Sequence, residues 1–399
     1  MFESDVDLIT PAGFDKIRDH GFWRRLRQQS PVTWHPPRDG IPGFWVLTRH
    51  ADIAAAYRDT GRFSSARGNM LTTLTTGGDP ASGRMLVVSD PPWHSALRRS
   101  MQPAFAARAM GRIAHSIRSV AKTLIAGAVE RGEIDFVSDV AARVPLAAIC
   151  DLLEVPVTDR ARMLELTSLA LGEDGSPEQA IRAREARSDI MEYYSSLIAS
   201  RRDGVGEDVL SLLGSALVGG RRLTDSEAFL NAYNLIIGGN ETTRLSAAGG
   251  VLALADHPEQ WTLLRESEEV IQTAAEEILR WTSPVAHIAR IVSTDVSLGG
   301  VDMSAGDIVT LWQISANYDE TVFPEPERFD VCRTPNKHIS FGVGPHHCIG
   351  AALAKVELHA VLAELRAQVR NIRITGPVEY LRSNTLLGVR RMPVALESV

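Results

Sequence analysis

The most informative segment of this 399-residue chain reads Phe341-Gly342-Val343-Gly344-Pro345-His346-His347-Cys348-Ile349-Gly350. Glycine and proline indicate a tight loop, and Cys348 precedes an alanine-rich run, 351–362, with helical spacing. A cysteine where a loop meets a helix N-terminus is near free N–H groups and the positive end of the helix dipole, which favour a thiolate. Such a thiolate can be a nucleophile, a redox thiol or an axial ligand to haem iron, and the lack of a neighbouring cysteine weakens the redox interpretation. Gly342 and Gly344 let the backbone approach a flat cofactor, which favours the ligand.

This segment resembles the haem-binding loop of the cytochrome P450 superfamily, Phe-Gly-x-Gly-x-His/Arg-x-Cys-x-Gly, and every fixed position is present through Gly350. A buried cysteine in a glycine-rich turn is the alternative, but it does not account for six matching positions in order. The resemblance implies that Cys348 is the axial ligand of the haem iron. It also implies that His346 hydrogen-bonds a haem propionate and that Phe341 packs on the cysteine side of the haem.

The fold that this resemblance implies is mainly α with small β-sheets (α+β). It is a triangular, helix-rich prism that holds haem b (iron protoporphyrin IX) between a long central helix and the helix after the cysteine loop. We expect a single domain over 1–399, β-rich at about 1–60 and 285–335 and helix-rich elsewhere.

Composition excludes several other classes of protein. A net charge of -7 gives no reason to expect nucleic acid as a partner, and no apolar run is long enough to span a bilayer. Three cysteines are too few for a disulfide framework, and the acidic start, Met1–Asp7, lacks the basic region and apolar core of a signal peptide. We therefore expect a cytoplasmic protein that resembles the soluble bacterial members of the superfamily.

The first 90 residues are predicted to combine a strand pair, 31–35 and 43–48, with a loop at 64–83. The loop is rich in Gly, Ser and Thr and offers few core anchors, so we expect it to be mobile. By the resemblance, this loop roofs the substrate pocket.

Three basic residues are candidates for holding the haem propionates. Ser89-Asp90-Pro91-Pro92 indicates a helix start, and His94 and Arg98 then share one helix face. Taken alone, such a pair also fits a solvated polar face. The resemblance implies that both bind propionates, and that Arg290, in an extended segment, does so too.

A long helix is predicted from the capping box at Thr224–Glu227 to His257-Pro258. Two adjacent glycines in its middle cost about 2 kcal/mol against alanine, which indicates room for a ligand beside the backbone. The run Gly238-Gly239-Asn240-Glu241-Thr242-Thr243 resembles the family motif Ala/Gly-Gly-x-Asp/Glu-Thr-Thr. The resemblance implies that Glu241 and Thr242 deliver protons to dioxygen; an incidental polar pair at a helix crossing is the alternative.

Glu277 and Arg280 have the spacing that places both charges on one helix face. Arg328, in the Pro-rich segment 323–329, matches the third member of the family's Glu-Arg-Arg triad. A buried carboxylate shared by two guanidinium groups can be fully hydrogen-bonded, so we expect these three residues to support the fold and the cysteine loop.

The motifs together predict a haem-thiolate monooxygenase that inserts one oxygen atom from dioxygen into an organic substrate. Two alternatives stay open: a haem-thiolate protein that binds a gas or transfers electrons, and a relative that uses peroxide or rearranges its substrate. The proton-delivery pair favours monooxygenation. Electrons are expected from NAD(P)H through a ferredoxin reductase and an acidic ferredoxin, attracted by Arg99, Arg108 and Arg112.

The substrate pocket is predicted from the loop, the long helix and two extended segments. Its candidate residues are Leu86, Val87, Tyr233, Asn234, Ile237, Gly238, Val285, His287, Ile288, Leu386 and Leu387. Most are apolar, while Asn234 and His287 suggest a polar group on the ligand. The Gly-Gly-Asn-Glu-Thr-Thr-Arg variant resembles those of bacterial enzymes of secondary metabolism and antibiotic biosynthesis, including enzymes that act on amino acids held by carrier proteins, and those of some steroid oxidisers. We therefore expect hydroxylation of a natural-product intermediate.

Overall fold

The longest helix crosses the helical part of the protein in this computed structural model, which describes residues 6–38, 40–171, 177–201 and 206–399. The α-helices are α1 Phe14–Ile17, α2 His20–Gln29, α3 His50–Arg58, α4 Leu71–Thr75, α5 Trp93–Met101, α6 Ala107–Arg131, α7 Arg143–Leu152, α8 Val157–Leu171, α9 Pro177–Ser200, α10 Val209–Ser215, α11 Asp225–Asp256, α12 Pro258–Glu266, α13 Val270–Thr282, α14 Gln313–Ala316 and α15 Ala351–Gln368. The predicted fold class, mainly α with small β-sheets, is confirmed.

The strands are short and lie mostly outside the helical part. They are β1 Val32–His35, β2 Phe44–Leu47, β3 Phe63–Ser64, β4 Glu133–Asp135, β5 Leu217–Val218, β6 Arg221–Arg222, β7 His287–Val292, β8 Val296–Leu298, β9 Val301–Met303, β10 Ile308–Trp312, β11 Val369–Ile374, β12 Glu379–Tyr380, β13 Val389–Arg391 and β14 Pro393–Ser398. The strands within 369–398 lie beyond the two segments that we expected to be β-rich.

α11 begins and ends where the sequence predicts. The Thr224 hydroxyl accepts from the Glu227 N–H at 3.2 Å, and the Glu227 carboxylate accepts from the Thr224 N–H at 2.9 Å, which completes the capping box. The helix then contacts α7, α9, α10, α13 and α15 along its 32 residues. This central position makes it buried on most sides, so its exposed residues mark where open space begins.

A five-stranded sheet, ordered β1-β2-β10-β7-β3, joins the two parts of the chain that were expected to be β-rich. The predicted pair β1–β2 is confirmed as antiparallel, with Trp34 opposite Trp45. β10 lies parallel to β2 and antiparallel to β7. The sheet thereby fixes β7, which carries Arg290, against residues that lie more than 200 positions earlier in the chain.

The loop predicted at 64–83 contains more structure than its composition suggests. Residues 71–75 form α4, whose Leu71 and Leu74 are buried in the hydrophobic cluster beside β2 and β7. The Ser82 hydroxyl also donates to the Ala66 carbonyl, and the Asp79 N–H donates to the Arg67 carbonyl at 2.8 Å. The prediction of few core anchors is therefore wrong, because two leucines three residues apart share one face of a single helical turn.

The apolar side chains form three buried clusters. The largest surrounds α6, α7, α11, α13 and α15, and the other two cover opposite sides of the five-stranded sheet. Within the described ranges, no helix has the length and apolar character needed to cross a membrane. Of the acidic stretch Met1–Asp7, the first five residues lie outside the described part of the chain.

Candidate active site

The cysteine loop closes on itself through backbone hydrogen bonds. The Cys348 N–H donates to the Phe341 carbonyl at 2.8 Å, and the His347 N–H donates to the Gly344 carbonyl at 3.0 Å. Gly344 has a φ of 77°, and a Cβ there would lie 3.1 Å from the Tyr57 carbonyl oxygen, so only glycine fits. Cys348 lies three residues before the start of α15, as predicted.

The Cys348 side chain is accessible in this structure, although protein atoms surround the thiol closely enough to shift its pKa. Burial raises the pKa of this thiol, while the Gly350 N–H and the positive charge of Arg98 act in the opposite direction. The helix N-terminus therefore does not by itself make Cys348 a thiolate. A bound metal cation would, because coordination stabilises the deprotonated sulfur directly.

Two arginines and two histidines that are distant in sequence meet near this cysteine; we call His94, Arg98, Arg290 and His346 the cationic cluster, after its two guanidinium groups. The His94 and His346 rings lie 4.0 Å apart between centroids. Burial, followed by Arg98 and Arg290, lowers the pKa of His94 to about 4. Burial, followed by Arg290, His94 and Arg98, lowers the pKa of His346 to about 2. The structure thus brings together the four residues predicted to contact the haem carboxylates.

The cationic cluster needs an anion. Arg290 is buried on β7, and its Nε and Nη1 atoms have no hydrogen-bond partner; neither ring nitrogen of His94 has one. Asp90 acts on Arg290 electrostatically, but a buried guanidinium whose N–H groups lack acceptors is still unfavourable. The two carboxylates of a haem would supply the missing acceptors, and Cys348 the axial ligand, so these residues fit that cofactor.

A side chain at either of the two central glycines of α11 would meet different surroundings. A Cβ at Gly239 would lie 2.9 Å from Cδ1 of Ile149, whereas a Cβ at Gly238 would have no atom within 4 Å. Ile237 is 46% exposed on this otherwise buried helix. The Thr242 hydroxyl donates to the Gly238 carbonyl at 2.7 Å. The helix therefore borders open space at Ile237 and Gly238, as expected of a ligand pocket.

Glu241 has a partner that the sequence analysis did not assign. Arg244 donates to its carboxylate through Nε at 3.1 Å and also through Nη2, and both side chains are 13% exposed. The signal was present in the sequence, because Glu241 and Arg244 have the same i, i+3 spacing as Glu277 and Arg280. Among the described residues, no hydrogen bond joins Glu241 to Thr242 or to the cationic cluster.

The assignment of Arg328 to the triad is wrong, and Arg333 takes that place. Arg280 donates to the buried Glu277 carboxylate at 2.7 and 2.8 Å, and Arg333 donates to it through Nε at 3.1 and 3.2 Å. The Arg328 side chain is 59% exposed and pairs with Glu325 instead. Only the backbone carbonyl of Arg328 takes part, by accepting hydrogen bonds from the guanidinium groups of Arg280 and Arg333. Asn336, which the sequence analysis missed, donates to Glu277 at 3.0 Å.

The predicted pocket residues divide into two groups. Leu86, His287 and Leu387 are almost fully buried; His287 packs against Trp312 with ring centroids 4.3 Å apart, so it has no surface to offer a ligand. Placing these three in the pocket lining is therefore a mistake: Leu86 packs into the largest hydrophobic cluster, and Leu387 packs into the cluster that contains the N-terminal helices. The partly or fully exposed candidates are Val87, Tyr233, Asn234, Ile237, Gly238, Val285, Ile288 and Leu386.

Comparison with known proteins gives a consistent result along the whole chain. A family model described as cytochrome P450 matches residues 176–366. Cytochrome P450 NovI of Streptomyces niveus is 42% identical over 391 residues, which cover 98% of this chain and 96% of NovI. Linalool 8-monooxygenase of Pseudomonas putida is 34% identical over 403 residues, which cover 98% of each protein.

Solved structures agree with this result. P450 OxyD, whose crystal structure is described as that of a protein involved in the biosynthesis of vancomycin-type antibiotics, matches with a TM-score of 0.91 at 33% sequence identity. The match covers 99% of this chain and 100% of OxyD. The similarity therefore extends over both the helical part and the sheet that carries Arg290.

Proposed function

The chain belongs to the cytochrome P450 family and is a haem-thiolate monooxygenase, and from this premise we propose that it hydroxylates an intermediate of bacterial secondary metabolism. One similar protein supports the substrate class: OxyD, which is described as involved in the biosynthesis of vancomycin-type antibiotics. The substrate form that we propose first is an amino acid held on a carrier protein. The alternative substrate form is a natural-product intermediate that is free in solution.

The observation that carries this proposal is the Cys348 thiol beside Arg98 and the partly unpartnered, buried Arg290. When bound, the haem supplies an iron centre for the reductive activation of dioxygen, and thiolate ligation favours O–O cleavage. Cys348 provides that thiolate, and the cationic cluster holds the propionates. The Phe341 ring lies 5.7 Å from the Lys355 ammonium and beside His338 and His347, in a position to pack on the cysteine side.

The middle of α11 would manage protons. The Thr242 hydroxyl, now donating to the Gly238 carbonyl, can turn to donate into the pocket, and Glu241, after taking a proton from solvent, can resupply the proton of that hydroxyl through water. Exposed Asn234 and apolar Ile237 and Val285 would orient a substrate that has both a polar group and an apolar body.

The central test is the carbon-monoxide difference spectrum of the dithionite-reduced, haem-loaded protein. We expect a strongly red-shifted Soret band that is lost in Cys348→Ala. A band typical of histidine ligation in the folded wild-type protein would contradict haem-thiolate ligation. Substrate class is then tested by the high-spin shift on adding amino acids bound to a carrier protein, free natural-product intermediates and simple fatty acids. A shift with fatty acids alone would contradict the proposed substrate class.

Family membership implies redox partners, and we propose that an acidic ferredoxin delivers the electrons. Arg99 on α5 and Arg108 and Arg112 on α6 are exposed, and Arg112 has only a distant carboxylate at 3.9 Å, that of Glu207. Charge reversal at Arg99 and Arg112 should slow reduction by ferredoxin, most strongly at low ionic strength. Arg184→Glu, an exposed change on α9, is the matched control. Unchanged reduction by every tested ferredoxin would rule this face out.

A further inference from the structure

A single buried side-chain amide on α11 forms hydrogen bonds with three backbone groups. Asn231 is fully buried, and its Oδ1 accepts from the Leu86 N–H at 2.8 Å. Its Nδ2 donates to the Arg84 carbonyl at 3.0 Å and to the Glu227 carbonyl at 2.8 Å. Both amide hydrogens and the amide oxygen of Asn231 are therefore hydrogen-bonded. Two of these three hydrogen bonds reach the segment that follows the predicted loop 64–83.

That chain, residues 84–90, here called the roof segment, is also closed within itself. The Gly83 N–H donates to the Val88 carbonyl at 2.8 Å, and the Ser89 hydroxyl donates to the Met85 carbonyl at 2.7 Å. At its end, Asp90 accepts from the Ser65 N–H at 2.9 Å and from the Ser64 hydroxyl. These contacts hold the roof segment in one conformation, and Asn231 is its hydrogen-bonded attachment to the long helix.

The α11 side of this attachment is itself held in place. Glu227, whose carbonyl accepts from Asn231, has its carboxylate paired with Arg221 at 2.6 and 2.8 Å. The Arg221 guanidinium lies 4.7 Å from the ring centre of Trp93, at the start of the helix that carries His94 and Arg98. The first turns of α11 thus contact the roof segment through Asn231 and the start of α5 through Arg221.

We propose that Asn231 is a positioning residue that sets the height of the roof segment above α11 and thereby determines which substrates fit. Val87 on the roof segment is partly exposed, and so is Asn234, one turn after Asn231 on α11. Because a buried amide and a buried N–H are both unfavourable without partners, the roof segment cannot lift at Leu86 without a substantial free-energy penalty. Opening is therefore confined to the preceding loop, 66–83. This inference rests on the proposed function, in that the space under the roof is taken as the substrate pocket.

The test uses Asn231→Leu, which keeps the branched shape and the number of side-chain heavy atoms and removes all three hydrogen bonds. In the reduced, haem-loaded protein without substrate, carbon monoxide should rebind after flash photolysis about tenfold faster than in wild type, since the penalty for opening is lost. The red-shifted Soret band should be unchanged, and the apparent KM of the substrate found in the screen should rise more than kcat falls. Gln260→Leu is the control. Gln260 lies on α12, away from the roof segment, and its buried side-chain amide accepts a hydrogen bond from the Val331 N–H at 3.0 Å.

Equal rebinding rates in wild type, Asn231→Leu and Gln260→Leu, with intact thiolate spectra, would overturn the inference while leaving the proposed function standing. Loss of the thiolate spectrum in wild type would instead contradict the proposed function. Hydrogen exchange of the wild-type holoenzyme provides a measurement that needs no variant. The Leu86 amide should exchange at least tenfold more slowly than the amide of Gly77, an exposed residue of the preceding loop. Exchange of Leu86 as fast as that of Gly77 would also overturn the role of Asn231.

Discussion

Arg244 holds the carboxylate of Glu241 from one turn further along α11, through both Nε and Nη2. The acid proposed to deliver protons is thus kept in one orientation by a neighbour on its own helix. Thr242, the proposed partner in proton delivery, is meanwhile bonded to the Gly238 carbonyl. Proton delivery therefore requires that water connect the two groups or that the Glu241–Arg244 pair open.

Replacing Arg244 with Gln should reduce the fraction of electrons that end in product. Without its two donors, the Glu241 carboxylate loses its fixed orientation, so activated oxygen is released as hydrogen peroxide more often. We expect product per NAD(P)H consumed to fall several-fold, while substrate affinity from the spin shift stays unchanged. Glu241→Gln should lower turnover further, by about 10²-fold. Coupling in Arg244→Gln equal to that in the control Arg184→Gln would show that the pair has no part in proton delivery.

Arg333 and Arg328 should differ sharply when each is replaced with Ala. Arg333→Ala leaves the fully buried Glu277 with one guanidinium fewer, and breaking a buried pair of this kind typically costs about 3–5 kcal/mol. Arg328→Ala removes only an exposed pair and should change the free energy of unfolding by no more than about 0.5 kcal/mol. Urea unfolding with haem content as a second readout measures both. The reverse order of effects would restore the assignment made from sequence.

Gly238→Ala and Gly239→Ala should affect different properties. At Gly239 a methyl group meets Cδ1 of Ile149 at 2.9 Å, and such overpacking typically destabilises by about 1–3 kcal/mol. At Gly238 it enters open space, so the helix should gain roughly 0.5–1 kcal/mol while the pocket narrows. Thermal unfolding and the substrate-induced spin shift separate the two outcomes. Weaker substrate binding in Gly239→Ala than in Gly238→Ala would contradict this division.

The Glu276 carboxylate should make stability sensitive to acid. Burial acts to raise its pKa, but hydrogen bonds from His338 at 2.9 Å and Lys355 at 2.6 Å prevail and lower the pKa from 4.5 to about 2. A carboxylate with a lowered pKa contributes stability above pH 4.5, and that contribution disappears as the pH falls toward 2. The free energy of unfolding should therefore fall less steeply between pH 4.5 and 2.5 in Glu276→Gln than in wild type.

Urea titrations of the haem-loaded protein at several pH values measure this slope. The exposed Glu185→Gln on α9 serves as the control and should run parallel to wild type. Parallel curves for Glu276→Gln and wild type would mean that the contacts from His338 and Lys355 add no acid-sensitive stability. Since Lys355 also lies 5.7 Å from the Phe341 ring, the Soret position of this variant is worth recording in the same samples.

Features that depend on residues close together in the chain could be read from the sequence. The capping box of α11 and the loop that presents Cys348 before α15 both appear where they were predicted. In each, a few neighbouring residues determine the backbone path through local hydrogen bonds or a positive φ. The Glu241–Arg244 pair belongs to the same class, and its spacing could have revealed it.

Contacts between distant segments depended on how the chain packs. Which of Arg328 and Arg333 reaches Glu277, whether His287 faces the pocket or Trp312, and the link from Asn231 to Leu86 are all long-range relationships. The amino-acid types showed that each side chain would need a partner. Only the tertiary structure selected that partner, because close packing leaves one arrangement in which buried polar groups of distant segments are satisfied together.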